Sequence, residues 1–63
     1  MKRLKDIREG TLVQLSNSIL EYYIRGKASN GRVKLVCFTA NHERYSHLDC
    51  SLTNDTKVII YKP

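Results

Sequence analysis

The dipeptide Asn30-Gly31 restricts the fold of this chain more than any other feature of its sequence. It separates two runs, residues 21–29 and 32–39, that are rich in the aromatic and β-branched residues common in strands. A type I′ turn needs a positive φ at both central residues, and Asn and Gly adopt this conformation most readily. We therefore predict a β-hairpin with a two-residue turn at Asn30-Gly31.

A two-residue turn also predicts the register of the hairpin, because the numbers of paired residues then add up to 61. One side of the ribbon, with Ile24 opposite Cys37, carries small and apolar residues and is expected to face the core. The other side is basic and aromatic. Its predicted pairs are Tyr23 with Phe38, Arg25 with Val36 and Lys27 with Lys34, and Arg32 lies beside them at the turn.

Three further segments have the composition of short strands. Residues 11–16 follow a turn-forming Gly10, residues 45–52 alternate apolar with polar side chains, and residues 56–62 are rich in β-branched residues after a predicted turn. The predicted fold class is therefore all-β, a five-stranded small barrel. Its predicted core consists of Val13, Leu15, Ile24, Leu35, Cys37, Leu48, Cys50, Leu52, Val58 and Ile60.

Two segments leave an alternative open. Ser18 and Glu21 have the spacing of a helix capping box, so the second strand segment could instead begin as a short helix. Near the N-terminus, Leu4 and Ile7 lie three residues apart, which fits either a single helical turn or an irregular lead-in.

Length and charge limit what this chain can do. Residues 1–63 are expected to form one domain with a thin core, so a surface function is favoured over a deep catalytic cavity. Eleven Lys and Arg residues against six Asp and Glu residues give a net charge of +5. This excess suits an anionic partner, either nucleic acid or an acidic protein surface, although it also serves solubility alone.

The basic and aromatic side of the predicted hairpin is the candidate binding site. Aromatic rings can stack on unpaired bases, and lysine and arginine can contact phosphates. Opposed lysines are unfavourable in a free hairpin, and a bound anion would relieve their repulsion. In the alternative interpretation the aromatic rings pack beneath a neighbouring segment and the lysines only keep the turn soluble. The predicted site residues are Tyr23, Arg25, Lys27, Arg32, Lys34 and Phe38.

Four side chains have the chemistry of zinc ligands, in the order Cys37, His42, His47, Cys50. The segment has no Cys-x2-Cys spacing, and both cysteines have the parity of core positions, so we expect reduced, buried thiols and neither metal nor cofactor. The histidines also neighbour Glu43 and Asp49, as acid–base pairs would, but a short loop does not exclude water. No enzymatic activity is expected.

The N-terminal residues are basic but are not followed by an apolar segment, and no long apolar run occurs in the chain. We therefore expect no signal peptide, no contact with membranes and a cytoplasmic location. The expected state is a monomer or a weak dimer.

The order of elements resembles that of small SH3-like barrels. The opening "DIREGTLVQL", the long hairpin between the second and third strands and the closing "SLTNDTKVIIY" carry this likeness over residues 6–62. The opening is also similar to the start of Tudor- and KOW-type barrels, but the aromatic cage of the former and the later glycines of the latter are missing. In size and charge the chain resembles short phage-encoded proteins that bind and inhibit host machinery. Neither the Tudor-type nor the KOW-type binding activity is therefore carried over, and two function classes remain open. One is a nucleic-acid-binding module that uses the basic side of the hairpin, and the other is a protein-interaction module, such as an inhibitor of a host protein.

Overall fold

A computed structural model describes residues 2–15 and 20–61 of the chain. They form one six-stranded antiparallel sheet with the strand order β1-β6-β2-β3-β4-β5, and two short 3-10 turns lie at Leu4–Asp6 and Ser46–Leu48. Within these two ranges, no helix is long and apolar enough to cross a membrane. The strands are β1 (Lys2–Arg3), β2 (Leu12–Leu15), β3 (Glu21–Ser29), β4 (Arg32–Thr39), β5 (Cys50–Thr53) and β6 (Lys57–Ile60).

The fold class is all-β as predicted, but the five-stranded closed barrel is wrong. Residues 2–3 add a sixth strand beside β6, and β1 and β5 remain the two edges of an open sheet. The sheet nevertheless has to curve. Four strand spacings of about 4.8 Å separate β6 from β5, whereas the short turn between them spans no more than about 15 Å.

The hairpin turn is the feature that the sequence predicts best. Asn30 has φ 52° and Gly31 has φ 76°, as a type I′ turn requires. The strands on either side also have the predicted bounds, so the helix considered for the segment after Ser18 is wrong from Glu21 onwards. Its capping residue, Ser18, lies outside the described residues.

A β-bulge interrupts the predicted register of the hairpin. Ser29 pairs with Arg32 and Ala28 with Val33, as predicted, but Gly26 and Lys27 together then lie opposite the single residue Lys34. A Cβ atom at Gly26 would lie 3.0 Å from the Lys34 carbonyl oxygen, so the close approach of the two strands favours glycine here. Beyond the bulge all pairs are shifted by one residue; Arg25 lies opposite Leu35, Ile24 opposite Val36, Tyr23 opposite Cys37 and Tyr22 opposite Phe38.

The core lies on one side of the sheet and is closed by the N-terminal segment. Leu4 and Ile7, on either side of the first 3-10 turn, are buried against it, and Leu4 is held there by a hydrogen bond from its N–H to the Thr56 carbonyl. The single helical turn considered for residues 2–8 is thus confirmed at Leu4–Asp6, and the edge strand Lys2–Arg3 that precedes it was not predicted. The buried apolar cluster consists of Leu4, Ile7, Val13, Tyr23, Val33, Leu35, Cys37 and Val58, with Leu15, Cys50 and Leu52 packed against it.

Three of the predicted core positions are wrong. Ile24 is turned to the opposite side of the sheet by the bulge. Leu48 lies in the second 3-10 turn, where the predicted strand at residues 45–52 has not yet begun, and is 38% exposed. Ile60, near the end of β6, is 36% exposed.

Candidate functional site

The bulge divides the predicted binding site between the two sides of the sheet. A shift of one residue reverses the side on which every following side chain lies. Tyr23 and Arg25 therefore point into the core, with 5% and 9% exposure, and are not surface residues. The prediction that Tyr23 and Arg25 belong to a binding site on the surface is therefore wrong.

Arg25 is a buried cation with incomplete compensation. Its guanidinium donates to the Gly26 carbonyl, and its Nη1 lies 3.9 Å from Oε1 of Glu9, an exposed residue. The Nε atom has no hydrogen-bond partner within the described residues. Burying a charge with so few partners costs folding free energy. Arg25 therefore lies in the core at a cost to stability and is not available to a ligand at the surface.

The other four predicted residues remain accessible but do not form one cluster. Lys27 and Lys34 meet at the bulge, on the same side of the sheet as the half-buried Phe38. Arg32 reaches across β5, where its Nη2 donates to the Ser51 carbonyl. Lys27 and Lys34 thus lie opposite each other as predicted, except that Gly26 shares the position opposite Lys34 with Lys27.

The side of the sheet opposite the core, here called the outer face, is rich in apolar residues. Cross-strand pairing places Ile24 between Leu12 and Val36, and Tyr22 beside Phe38. Ile59 of β6 pairs with Gln14 of β2 and is 42% exposed. Leu12, Ile24 and Val36, the middle row of this side, are each half-buried. The outer face consists of Leu12, Gln14, Tyr22, Ile24, Lys34, Val36, Phe38, Lys57, Ile59 and Tyr61.

A cluster of aromatic rings occupies one end of the outer face. The rings of Tyr22 and Tyr61 meet edge to face with their centroids 4.6 Å apart, and the Tyr22 and His42 rings do so at 5.2 Å. The Tyr22 hydroxyl hydrogen-bonds to Nδ1 of His42, which has a positive φ of 64°. Tyr22 is buried by these neighbours, whereas Phe38 and Tyr61 keep part of their surface exposed.

Arg44 and Asp49 brace the loop between β4 and β5. Arg44 donates to Oδ1 of Asp49 at 2.7 Å and to the Cys37 carbonyl at 3.3 Å, while Asp49 accepts the Cys37 N–H at 2.8 Å. The guanidinium also lies over the ring of Phe38, 5.8 Å from its centroid. The brace therefore places a cation directly beside the half-buried ring of Phe38 on the outer face.

The bonds from Arg44 and then from the Cys37 N–H hold the pKa of Asp49 below its usual value. A lowered pKa in the folded state means that Asp49 stabilises the fold above about pH 4 and that this stabilisation is lost as the pH falls further. We expect Asp49→Asn to lower the free energy of unfolding at pH 7 and to flatten its decline below about pH 4, measured by urea unfolding. The double variant with Arg44→Gln should show no additional loss, and additive losses would contradict a shared brace.

The charges around the outer face are mainly positive. Lys27 and Lys34 lie at the hairpin end, Lys57 lies in β6 and Arg44 lies beside Phe38. Asp49, the carboxylate beside Arg44, is already paired with it. The outer face thus combines half-exposed rings and aliphatic side chains with a positive border.

The cysteines and histidines are not brought together as ligands. No group of three or more His, Cys, Asp and Glu side chains suited to a metal occurs in the described part of the chain. Cys37 is buried, Cys50 is half-buried and both are free thiols. Burial raises the pKa of both thiols, and it raises the pKa of neighbouring Tyr23 to about 12, so these groups stay protonated at neutral pH.

Sequence reasoning missed Tyr22, Tyr61 and Arg44 as members of this surface. The available signal was Gly26, because an isolated glycine inside a strand often marks a bulge, and a bulge would have moved Tyr22 to the side of Phe38. Tyr61 and Arg44 carried no comparable signal.

Comparison with models of protein families gave no match for this chain. Searches among curated proteins and among solved structures gave no significant similarity either. The outer face is therefore interpreted from its own chemistry.

Proposed function

We propose that the protein is a non-enzymatic module that binds single-stranded nucleic acid across the outer face. The observation that carries this proposal is the half-buried ring of Phe38 on the outer face, with Arg44 beside it and Lys34 further along the same strand. Bases of a single strand can stack on such a ring, and cations at the border can contact the phosphates. The net charge of +5 favours the encounter with a polyanion.

The expected footprint differs from the hairpin tip that the sequence alone indicates. Lys27, Lys34 and Phe38 retain their role, Arg44 and Tyr61 join them, and Tyr23 and Arg25 are left out because they are buried. The middle row of Leu12, Ile24 and Val36 offers an apolar surface on which bases can lie without a requirement for sequence.

Fluorescence anisotropy with labelled twelve-residue oligo-dT and oligo-U tests this proposal. The logarithm of the affinity should fall linearly with the logarithm of the salt concentration, because phosphate contacts release counterions. Lys27→Glu with Lys34→Glu should weaken binding and reduce the slope by about 1.4, at about 0.7 for each lost contact to a single strand. Phe38→Ala should cost about 1–3 kcal/mol of binding free energy with little change in slope.

Lys2→Glu with Arg8→Glu is the matched control, since it changes the net charge equally at two exposed residues that do not belong to the outer face. Wild-type affinity in this control, together with the losses above, would support the proposal. Equal losses of affinity in both double variants would mean that binding depends only on the net charge of the protein, and this would contradict a defined site.

A further inference from the structure

One edge of the sheet is formed by β5 (Cys50–Thr53). This strand pairs with β4 alone among the described residues. An unpaired edge presents backbone donors and acceptors to which another chain can add, and proteins commonly block such edges.

The bonding pattern of β4 and β5 shows which groups face this edge. The N–H of Asn54 donates to the Gly31 carbonyl at 2.9 Å, so these two residues form a hydrogen-bonded pair. Bonded and non-bonded pairs alternate along an antiparallel ladder, which makes Val33 with Leu52 the next bonded pair. The N–H and C=O groups of Ser51 and Thr53 therefore point away from β4, towards the free edge.

The outward carbonyls are occupied, whereas the outward N–H groups are not. The Thr53 carbonyl accepts the N–H of Thr56 at 3.0 Å in the following turn. The Ser51 carbonyl accepts the guanidinium of Arg32, whose side chain crosses β5 to reach it. The N–H groups of Ser51 and Thr53 have no hydrogen-bond partner within the described ranges. The edge thus presents two donors beside a cation that blocks an acceptor.

The surroundings of this edge determine which partner fits it. Lys34, Asp49, Cys50 and Ser51 line a shallow depression of about 360 Å³ beside it. Asp49 is paired with Arg44, so the unpaired charge here comes from Lys34 and Arg32. A second copy of the chain would bring its own Arg32 and Lys34 against these cations, which is unfavourable, whereas an acidic segment is attracted.

We propose that the free edge of β5 is a strand-addition site for an extended, acidic segment of a partner protein, with Arg32 as its gate. A carboxylate of the partner takes the guanidinium of Arg32, and this releases the Ser51 carbonyl to accept a backbone N–H of the incoming strand. The N–H groups of Ser51 and Thr53 donate to its carbonyls. This mode of recognition draws affinity from main-chain bonds and specificity from flanking side chains. The site shares Lys34 with the surface proposed for nucleic acid, but its main-chain bonds lie at the free edge of β5 and do not depend on that surface.

The test uses a labelled eight-residue peptide that alternates Glu with Val, a second peptide with Lys in place of Glu, and a third that is the Glu peptide N-methylated at alternate residues. The wild-type protein should bind the Glu peptide, and both other peptides should bind at least about tenfold more weakly. Equal binding of all three, or no binding of the Glu peptide, would overturn the proposal. Because no nucleic acid is present, this outcome is independent of the oligonucleotide result.

Two variants locate the contact. Ser51→Pro removes an N–H that lies outside the ladder, and an edge strand tolerates proline at such a position, so the fold should persist while peptide affinity falls about tenfold. Arg32→Gln should reduce the preference for Glu over Lys, with Lys34 supplying what remains, and Arg8→Gln, at an exposed arginine away from β5, should leave the preference unchanged. Unchanged affinity in Ser51→Pro, or an undiminished preference for Glu in Arg32→Gln, would contradict the site. If Ser51→Pro fails to fold, binding of the N-methylated peptide to the wild-type protein still tests whether main-chain hydrogen bonds hold the partner.

Discussion

Leu35→Ala should lower the free energy of unfolding by about 2–5 kcal/mol, the range for removing a large buried side chain and leaving a cavity. Leu35 has no exposed surface, and it lies between Arg25 of β3 and Cys50 of β5 at the centre of the sheet. A domain of this size has little stability to lose, so the variant should be close to unfolding at 37 °C. Urea unfolding monitored by circular dichroism measures the loss.

Leu48→Ala is the matched control, and it distinguishes the observed strand boundaries from those predicted. Leu48 is 38% exposed in a 3-10 turn, so its truncation should cost less than about 1 kcal/mol. A strand through residues 45–52 would instead bury Leu48 and make the two losses similar. Leu35→Met, which conserves volume, should cost less than about 1.5 kcal/mol and shows that the effect arises from the cavity.

Arg25→Met should raise the free energy of unfolding by about 1–4 kcal/mol, as replacement of buried ionic groups by packed apolar ones often does. The guanidinium has a buried Nε without a partner in the described part of the chain, and its contact with Glu9 is long at 3.9 Å. Methionine keeps most of the aliphatic volume in the core. The Glu9 side chain is 58% exposed, so the substitution leaves no buried carboxylate behind.

The same variant tests the correction to the binding site. Because Arg25 lies on the core side, Arg25→Met should leave oligonucleotide affinity and its salt dependence unchanged. Lost affinity with unchanged stability would instead place Arg25 on the binding surface, as the uninterrupted hairpin register predicts.

The predicted register failed at one residue, and this failure accounts for most of the incorrect site. The sequence predicts the turn at Asn30-Gly31, the bounds of both flanking strands and the first two pairs after the turn. The bulge opposite Lys34 then reverses the sides of all residues before it. Tyr22 thereby replaces Tyr23 as the partner of Phe38.

The remaining errors arise where distant segments meet. Leu4 and Ile7 belong to the core because hydrogen bonds tie the N-terminal turn to residues 54–56, and no local pattern indicates this contact. Residues 46–48 form a 3-10 turn although they alternate like a strand. The Cys37 carbonyl accepts the N–H of Tyr45 just before this turn, but the Cys37 N–H donates to the side chain of Asp49 instead of to the backbone of a neighbouring strand.

Local stereochemistry therefore determined the turn and the all-β class, whereas chain length and composition determined the thin core and the net positive charge. Backbone φ at Asn30 and Gly31, and the preferences of aromatic and β-branched side chains, act over a few residues and can be derived from the sequence alone. Tertiary structure decided which side of the sheet is the core, which edges stay open and where Arg32 and Arg44 reach. Each of these depends on a register shift of one residue or on contacts between segments far apart in the chain. The alternation of side chains along a strand does not show which side faces the core, because a shift of one residue exchanges the two sides.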